Sequence, residues 1–120
     1  MKGFNYKNLL VWQKSFELCL SIYKITEKYP RFELYGLVSQ IRRAAVSVPS
    51  NLAEGHSRNH TKEFVHYISI SLGSCSELET QLMISKELGY IEENESESLL
   101  NGLIEIIKMQ KGLMQALIRE

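Results

Sequence analysis

QIRRAAVSVPSNLAEG, from Gln40 to Gly55, is the stretch whose reading decides the fold. Leu37, Ile41, Ala44, Ala45, Val48 and Leu52 recur at steps of three and four, the period of one helix face. Arg43, Ser47, Ser50 and Glu54 keep the same period on another face, with Asn51 beside them. Pro49 interrupts neither rhythm. Inside a helix its ring clashes with the Ala45 carbonyl and removes that carbonyl's donor, at a cost of about 3 kcal/mol. The unbroken apolar rhythm predicts one helix, kinked at Pro49. A restart capped by Asn51 and Glu54 is the alternative.

Working outward, three more helices follow from the same signals. One is expected from about Leu9 to Tyr29, with Asn8 as its cap and Pro30 as its stop. The second helix starts near Glu33 and ends at Gly55 or His56. A third runs from about Thr61 to Leu88, where Gly89 supplies an end signal. The fourth runs from about Glu93 to Arg119, with glutamates in its first turns, where the helix dipole favours them. Short connections between long helices imply an all-α, antiparallel up-down four-helix bundle. At 120 residues the chain is one domain, 1–120.

Composition agrees. All fourteen acidic residues are glutamate, and valine and threonine are few. Glutamate tolerates helix interiors better than aspartate, which competes for backbone hydrogen bonds. Two isolated cysteines, Cys19 and Cys75, sit on apolar helix positions and read as reduced core thiols. The polar opening, Met1–Lys7, carries no signal peptide, and no apolar run reaches membrane length, so the expected place is the cytoplasm, away from the membrane.

Helices one and four are apolar over two adjacent rows. In the fourth, Leu99, Leu103, Ile106, Leu113 and Leu117 form one row, and Leu100, Ile104, Ile107, Met114 and Ile118 the other. A monomeric bundle needs one apolar face per helix, so the surplus predicts a partner, most simply another copy. A row of small residues, Ser69, Gly73, Ser76 and Thr80, suits either the core or a subunit contact.

Net charge is zero but divided. Residues 1–62 carry ten Lys/Arg against four Glu, and residues 63–120 carry four against ten. Two readings fit: basic and acidic helices attract one another within or between bundles, or a basic face meets nucleic acid. In the second reading Arg42, Arg43, Arg58 and Lys62 contact phosphates. In the first, Arg43, Ser47, Ser50, Asn51 and Glu54 form a buried or half-buried network that fixes helix register.

Catalysis finds no support. Glu63 and His66 supply half of a di-iron pattern, but the fourth helix has no histidine to complete it. His56 and His60 read as parts of a polar loop. No nucleophile elbow and no glycine-rich phosphate loop is present. The expectation is no enzyme, no metal and no cofactor.

The segments VWQKSFEL, YGLVSQIRRAAVSVPSNLAEG, GSCSELETQL and LGYI, in this order, resemble the family of 23S rRNA intervening-sequence proteins. The resemblance implies a bacterial up-down bundle that closes into a homopentamer. A related branch comprises the accessory proteins of diversity-generating retroelements, which implies a reverse transcriptase and RNA or DNA as possible partners. It implies no catalytic residue. The family's recurrent residues fall on Arg42, Arg43, Ser47, Pro49, Ser50, Asn51, Glu54 and Gly55. The expected function is therefore a non-enzymatic oligomeric bundle that binds structured RNA through a basic surface. The alternative is a self-assembling protein scaffold with no nucleic-acid ligand.

Overall fold

The computed structural model describes residues 5–119. Its α-helices are α1 (Leu10–Thr26), α2 (Leu37–Ser57), α3 (Thr61–Glu87) and α4 (Glu93–Arg119), with 3-10 turns at Tyr6–Asn8 and Arg31–Glu33. No strand occurs among the described residues. The described part measures 45 × 22 × 20 Å.

The helices pack in a cycle, each against two neighbours. Named contacts fix their register. Lys14 meets Glu105 and Lys28 meets Glu95, so residues that rise along α1 meet residues that fall along α4. Ser74 meets Ser47 while Tyr67 lies against Gly55, which gives the same opposed order for α2 and α3. Both α1–α4 pairs join the basic half of the chain to the acidic half. Both lie at the surface, where water screens them and their contribution to stability is small.

All four helices feed one core. Ile22, Ile41, Leu52, Ile68, Leu78, Leu82, Leu103 and Ile106 are its fully enclosed large side chains. Gln110 is a large polar side chain enclosed among them. The Gln110 amide is fully buried and donates to Ser71 Oγ (3.0 Å) and Cys75 Sγ (3.8 Å), while Ser71 Oγ donates to the Val48 carbonyl (3.0 Å). This chain of bonds ties α4 through α3 to α2. Burial pushes the Cys75 thiol up to about 12, so it stays protonated and inert.

The helix ends depart from the sequence expectation in instructive ways. Asn5, not Asn8, caps the opening 3-10 turn, and α1 then begins at Leu10. The first helix stops at Thr26, three residues early, and the second starts four residues late. Between them Pro30 leads a 3-10 turn, and Glu33 Oε1 accepts from the Leu37 N–H (3.1 Å), capping α2 from outside. Glu33 Oε2 accepts from the Tyr90 hydroxyl (2.9 Å), which anchors the turn to the α3–α4 corner. At that corner Gly89 adopts a left-handed φ of 78°. The Gly89 and Tyr90 N–H groups return to the Lys86 and Ser85 carbonyls, which closes α3 as the glycine predicts. Glu95 accepts from the Glu92 N–H while pairing with Lys28. The Lys28 bond, then that N–H, hold its carboxyl below the usual range.

The second helix is continuous through Pro49, which is buried. No restart forms at Asn51. Instead the Asn51 amide donates to both the carbonyl and the hydroxyl of Ser47 (2.8 Å each), bridging the turn that holds the proline. The helix also outlasts its expected end. His56 is a buried helical residue against the Phe64 ring rather than part of a polar loop. The turn itself is Arg58, Asn59 in a left-handed conformation (φ 62°), and His60.

Candidate functional site

The furrow between α1 and α2 stays open along its length, and its two ends differ in chemistry. At one end Trp12, Phe16, Cys19 and Leu20 of α1 face Val46, Pro49, Ser50 and Ala53 of α2, with Tyr6 closing the hollow. Among the described residues no charged one lines this end. Leu20 and Phe16 are 55% and 43% exposed, and Leu10 lies further along the same helix at 57%. Trp12 packs against both Tyr6 (5.3 Å) and Phe16 (5.2 Å), so the surface is a layered aromatic one rather than scattered side chains.

The other end is a groove of about 690 Å³ where Tyr23, Leu34 and Tyr35 meet Arg42, Arg43, Ser47, Ser50 and Asn51. Two guanidinium groups line it and no carboxylate does. Arg42 is half-buried. Its Nε donates to Thr26 Oγ1 (2.9 Å), its Nη2 donates to the Tyr23 carbonyl (3.2 Å), and its plane lies 4.6 Å over the Tyr23 ring. It covers carbonyls at the end of α1, where the helix dipole favours a cation. Arg43 is exposed and has no hydrogen-bond or ion-pair partner among the described residues. It also borders a second, polar groove shared with Ser74, Glu77 and Gln81 of α3.

The structure divides the polar stripe that the sequence suggests. Ser47, Asn51 and Ser74 do form a bonded cluster, with Ser74 Oγ donating to Ser47 Oγ (2.7 Å). Arg43 and Glu54 do not join it. They stand eleven residues apart, about 16 Å along the helix axis, and both are exposed. Glu54 pairs instead with Arg58 (3.0 Å), the i,i+4 pair that the spacing allows. The expected buried network from Arg43 to Glu54 is therefore absent.

The four expected phosphate contacts also fall into two places. Arg42 and Arg43 line the groove. Arg58 lies at the α2–α3 corner, about 22 Å further along α2, and Lys62 is in the first turn of α3. Arg58 is engaged by Glu54, by Glu63 (3.7 Å) and by the Tyr67 hydroxyl (2.9 Å) and ring. Lys62 is exposed, with no ion pair among the described residues. Glu63 is thus committed to Arg58, and His66 is exposed. No cluster of metal-ligating residues forms among the described residues.

Sequence reading missed the contribution of the α1–α2 connection. Phe32 and Tyr35 are 79% and 93% exposed, and Leu34 lines the groove. A signal was present: three large apolar residues crowd a connection bounded by Pro30 and Gly36, outside any helical rhythm. The row of small residues also receives a place. Ser69, Gly73, Ser76 and Thr80 all lie on the exposed face of α3, outside the intrachain core.

No helix among the described residues is long and apolar enough to cross a membrane. No curated protein matches the chain. Among solved structures, it is similar to a protein of unknown function from the S23 ribosomal protein family of Bacteroides thetaiotaomicron VPI-5482. The two are 25% identical with a TM-score of 0.79, and the match covers 88% of this chain and 98% of that one. The family model described as 23S rRNA-intervening sequence protein matches residues 7–112, so the chain belongs to that family.

Proposed function

We propose that this chain is a self-assembling helical module with no chemistry of its own. The observation that carries this reading is the uncharged end of the α1–α2 furrow, where Trp12, Phe16, Leu20 and Val46 are left open. An aromatic surface of that kind marks a protein contact. A second copy fits it on charge grounds too. The α1–α2 side is the basic half of the molecule and the α3–α4 side the acidic half, so copies arranged head to tail bring opposite signs together. Head-to-tail contacts close into rings when the rotation permits. Five copies is the number that the resemblance implies. Sedimentation at micromolar concentration tests it: an oligomer supports the reading, and a monomer overturns it.

Nucleic acid is the second reading, favoured by one observation. Arg43 and Lys62 are exposed cations without internal partners, and both lie in the basic half of the chain. Arg58 is set aside from this role, since two carboxylates already engage it. A reverse transcriptase enters only by analogy with the retroelement branch. A salt-dependent RNA titration tests this reading: affinity that falls steeply with salt supports it, and absence of binding at low salt overturns it.

A further inference from the structure

We propose that the arginine end of the furrow holds an unpaired nucleic-acid strand, with Tyr35 as the stacking platform and Arg43 as the phosphate contact. The proposal rests on the nucleic-acid reading above and gives it a site and a substrate class.

Tyr35 is 93% exposed and stands in one short connection with Phe32 at 79% and Leu34 at 46%, a cluster of large side chains of the kind that marks a contact surface. Its mounting is rigid. The preceding turn is held twice by Glu33, once to the start of α2 and once to Tyr90 of the α3–α4 corner. Gly36 follows, and a Cβ there would stand 2.9 Å from Glu33 Oε1. An aromatic group fixed in this way loses little freedom on binding.

The rest of the groove selects the ligand. Arg42 and Arg43 supply positive charge, and no carboxylate among the described residues lines this groove, although Glu27 and Glu77 border the two arginines from the neighbouring hollows; Arg43 has no hydrogen-bond or ion-pair partner among the described residues. A planar cation, the Arg42 guanidinium, already lies over Tyr23 with its central carbon 4.6 Å from the ring centre, so this end of the furrow already pairs an aromatic ring with a planar group. Stacked planes carrying an anionic backbone are what a single strand presents. A duplex hides its base faces and offers only phosphates to such a surface. The uncharged end of the furrow lacks these cations and is left to the copy–copy contact.

Fluorescence anisotropy tests the assignment on the full chain, with labelled strands of about twelve nucleotides, matching the usual span of such sites. The probes are single-stranded RNA, single-stranded DNA of the same sequence, and the RNA duplex. The expected result is at least about tenfold tighter binding of a single strand than of the duplex, with RNA and DNA compared to show whether the 2′-hydroxyl contributes. Tyr35→Ala weakens single-strand binding roughly 5- to 150-fold, and Tyr35→Phe restores it, since loss of one stacked base is the whole effect. Arg43→Gln lowers the salt slope by about 0.7, one phosphate on a single strand. Tyr35 is too exposed for its loss to unfold the chain. Equal binding of duplex and single strand, unmoved by Tyr35→Ala, overturns the single-strand site while nucleic-acid binding itself stands. No binding of any probe at low salt overturns both. A change in sedimentation on Tyr35→Ala, without a change in single-strand affinity, overturns the proposal and gives the groove to a second copy.

Discussion

Gly55 of α2 lies so close to Tyr67 of α3 that a Cβ added to it would stand 2.6 Å from the tyrosine Cβ. Phe64 Cδ1 would be 3.1 Å away. The two helices approach here just before their shared turn. A Cβ is fixed to its backbone, so relief requires moving α3 itself. Gly55→Ala should therefore destabilise the fold by about 2 kcal/mol, the overpacking penalty less the helix-propensity gain. Gly73→Ala is the control. Nothing lies within 4 Å of its added Cβ, and it sits inside an exposed helix face. It should stabilise by about 0.5–1 kcal/mol. Chemical denaturation of both variants checks the pair, and equal shifts would show that the close approach is not tight.

Arg58→Ala should weaken the fold slightly and Arg43→Ala should leave it unchanged. Arg58 carries two carboxylates and a tyrosine hydroxyl; Arg43 carries none of these. The pairs are about half exposed, so water screens them and the loss is small. Reading the stripe from sequence alone ranks the two arginines the other way round. A larger stability loss in Arg43→Ala would restore the buried-network reading.

What the sequence made legible, and what it did not, divides along the range of the forces involved. The spacing put Leu37, Ile41, Ala44, Ala45, Val48 and Leu52 on one face; the last five are buried, and Leu37, at the helix start, is half-buried. Gly89 announced its own left-handed turn. Both are local signals. The start of α2 at Leu37 depends on Glu33, which is itself held by Tyr90, fifty-seven residues away. No local pattern contains that bond. Arg43 and Glu54 failed for a related reason. Helical period tells which residues share a face, but neighbours on the same face bond only when they are three or four apart. Arg58 was the nearer partner, and the helix persisted far enough to present it.

Acid should destabilise the protein through His56. Burial lowers its pKa below the ordinary 6.5, because the charged ring would lose its water against Phe64. The unfolded chain then binds the proton more readily than the folded one. Stability is fully present above about pH 6.5 and is lost as pH falls through and below that value toward the depressed folded pKa. His56→Gln removes this titration. Between pH 7.5 and about 5, the wild-type melting temperature should fall further than that of His56→Gln. Parallel curves would show that His56 binds its proton equally well in the folded and unfolded chain.

The amide of Gln110 should be replaceable by a thioether of similar length. Its Nε2 is bonded, but its Oε1 is buried with no partner. Ser71 keeps its bond to the Val48 carbonyl without it. Removing a half-satisfied buried polar group while filling its volume is close to neutral or stabilising. Gln110→Met should thus change stability by less than about 1 kcal/mol, while Gln110→Ala should cost about 2–4 kcal/mol through the cavity it leaves. Thermal melts of the two variants check this. A Met variant as unstable as the Ala variant would mean that the amide bonds to Ser71 and Cys75 help hold α4 to α3.

Leu20→Glu should separate the copies without unfolding them. Leu20 is 55% exposed and lines the uncharged end of the furrow, so the isolated chain tolerates a charge there. Covered by a second copy, the same position withdraws that charge from water, and the one cation a turn away, Lys24, lies on the adjoining hollow rather than in the covered one. The wild-type leucine contributes about 1.5–3 kcal/mol when fully buried in such a contact, and a carboxylate paired at best with exposed Lys24 replaces that gain with a desolvation cost. In a head-to-tail ring every copy gives one face and receives another, so one substitution strikes every interface at once. Leu88→Glu is the matched control, because Leu88 is 54% exposed at the α3–α4 corner, at the end of the bundle and off the helix faces that meet in a ring. Sedimentation of the three proteins at micromolar concentration, with circular dichroism to verify helix content, decides the matter. The expected pattern is an oligomer for wild type and Leu88→Glu and a helical monomer for Leu20→Glu. If Leu20→Glu sediments with the wild-type oligomer, the copies meet on some other surface and the uncharged hollow is not their contact.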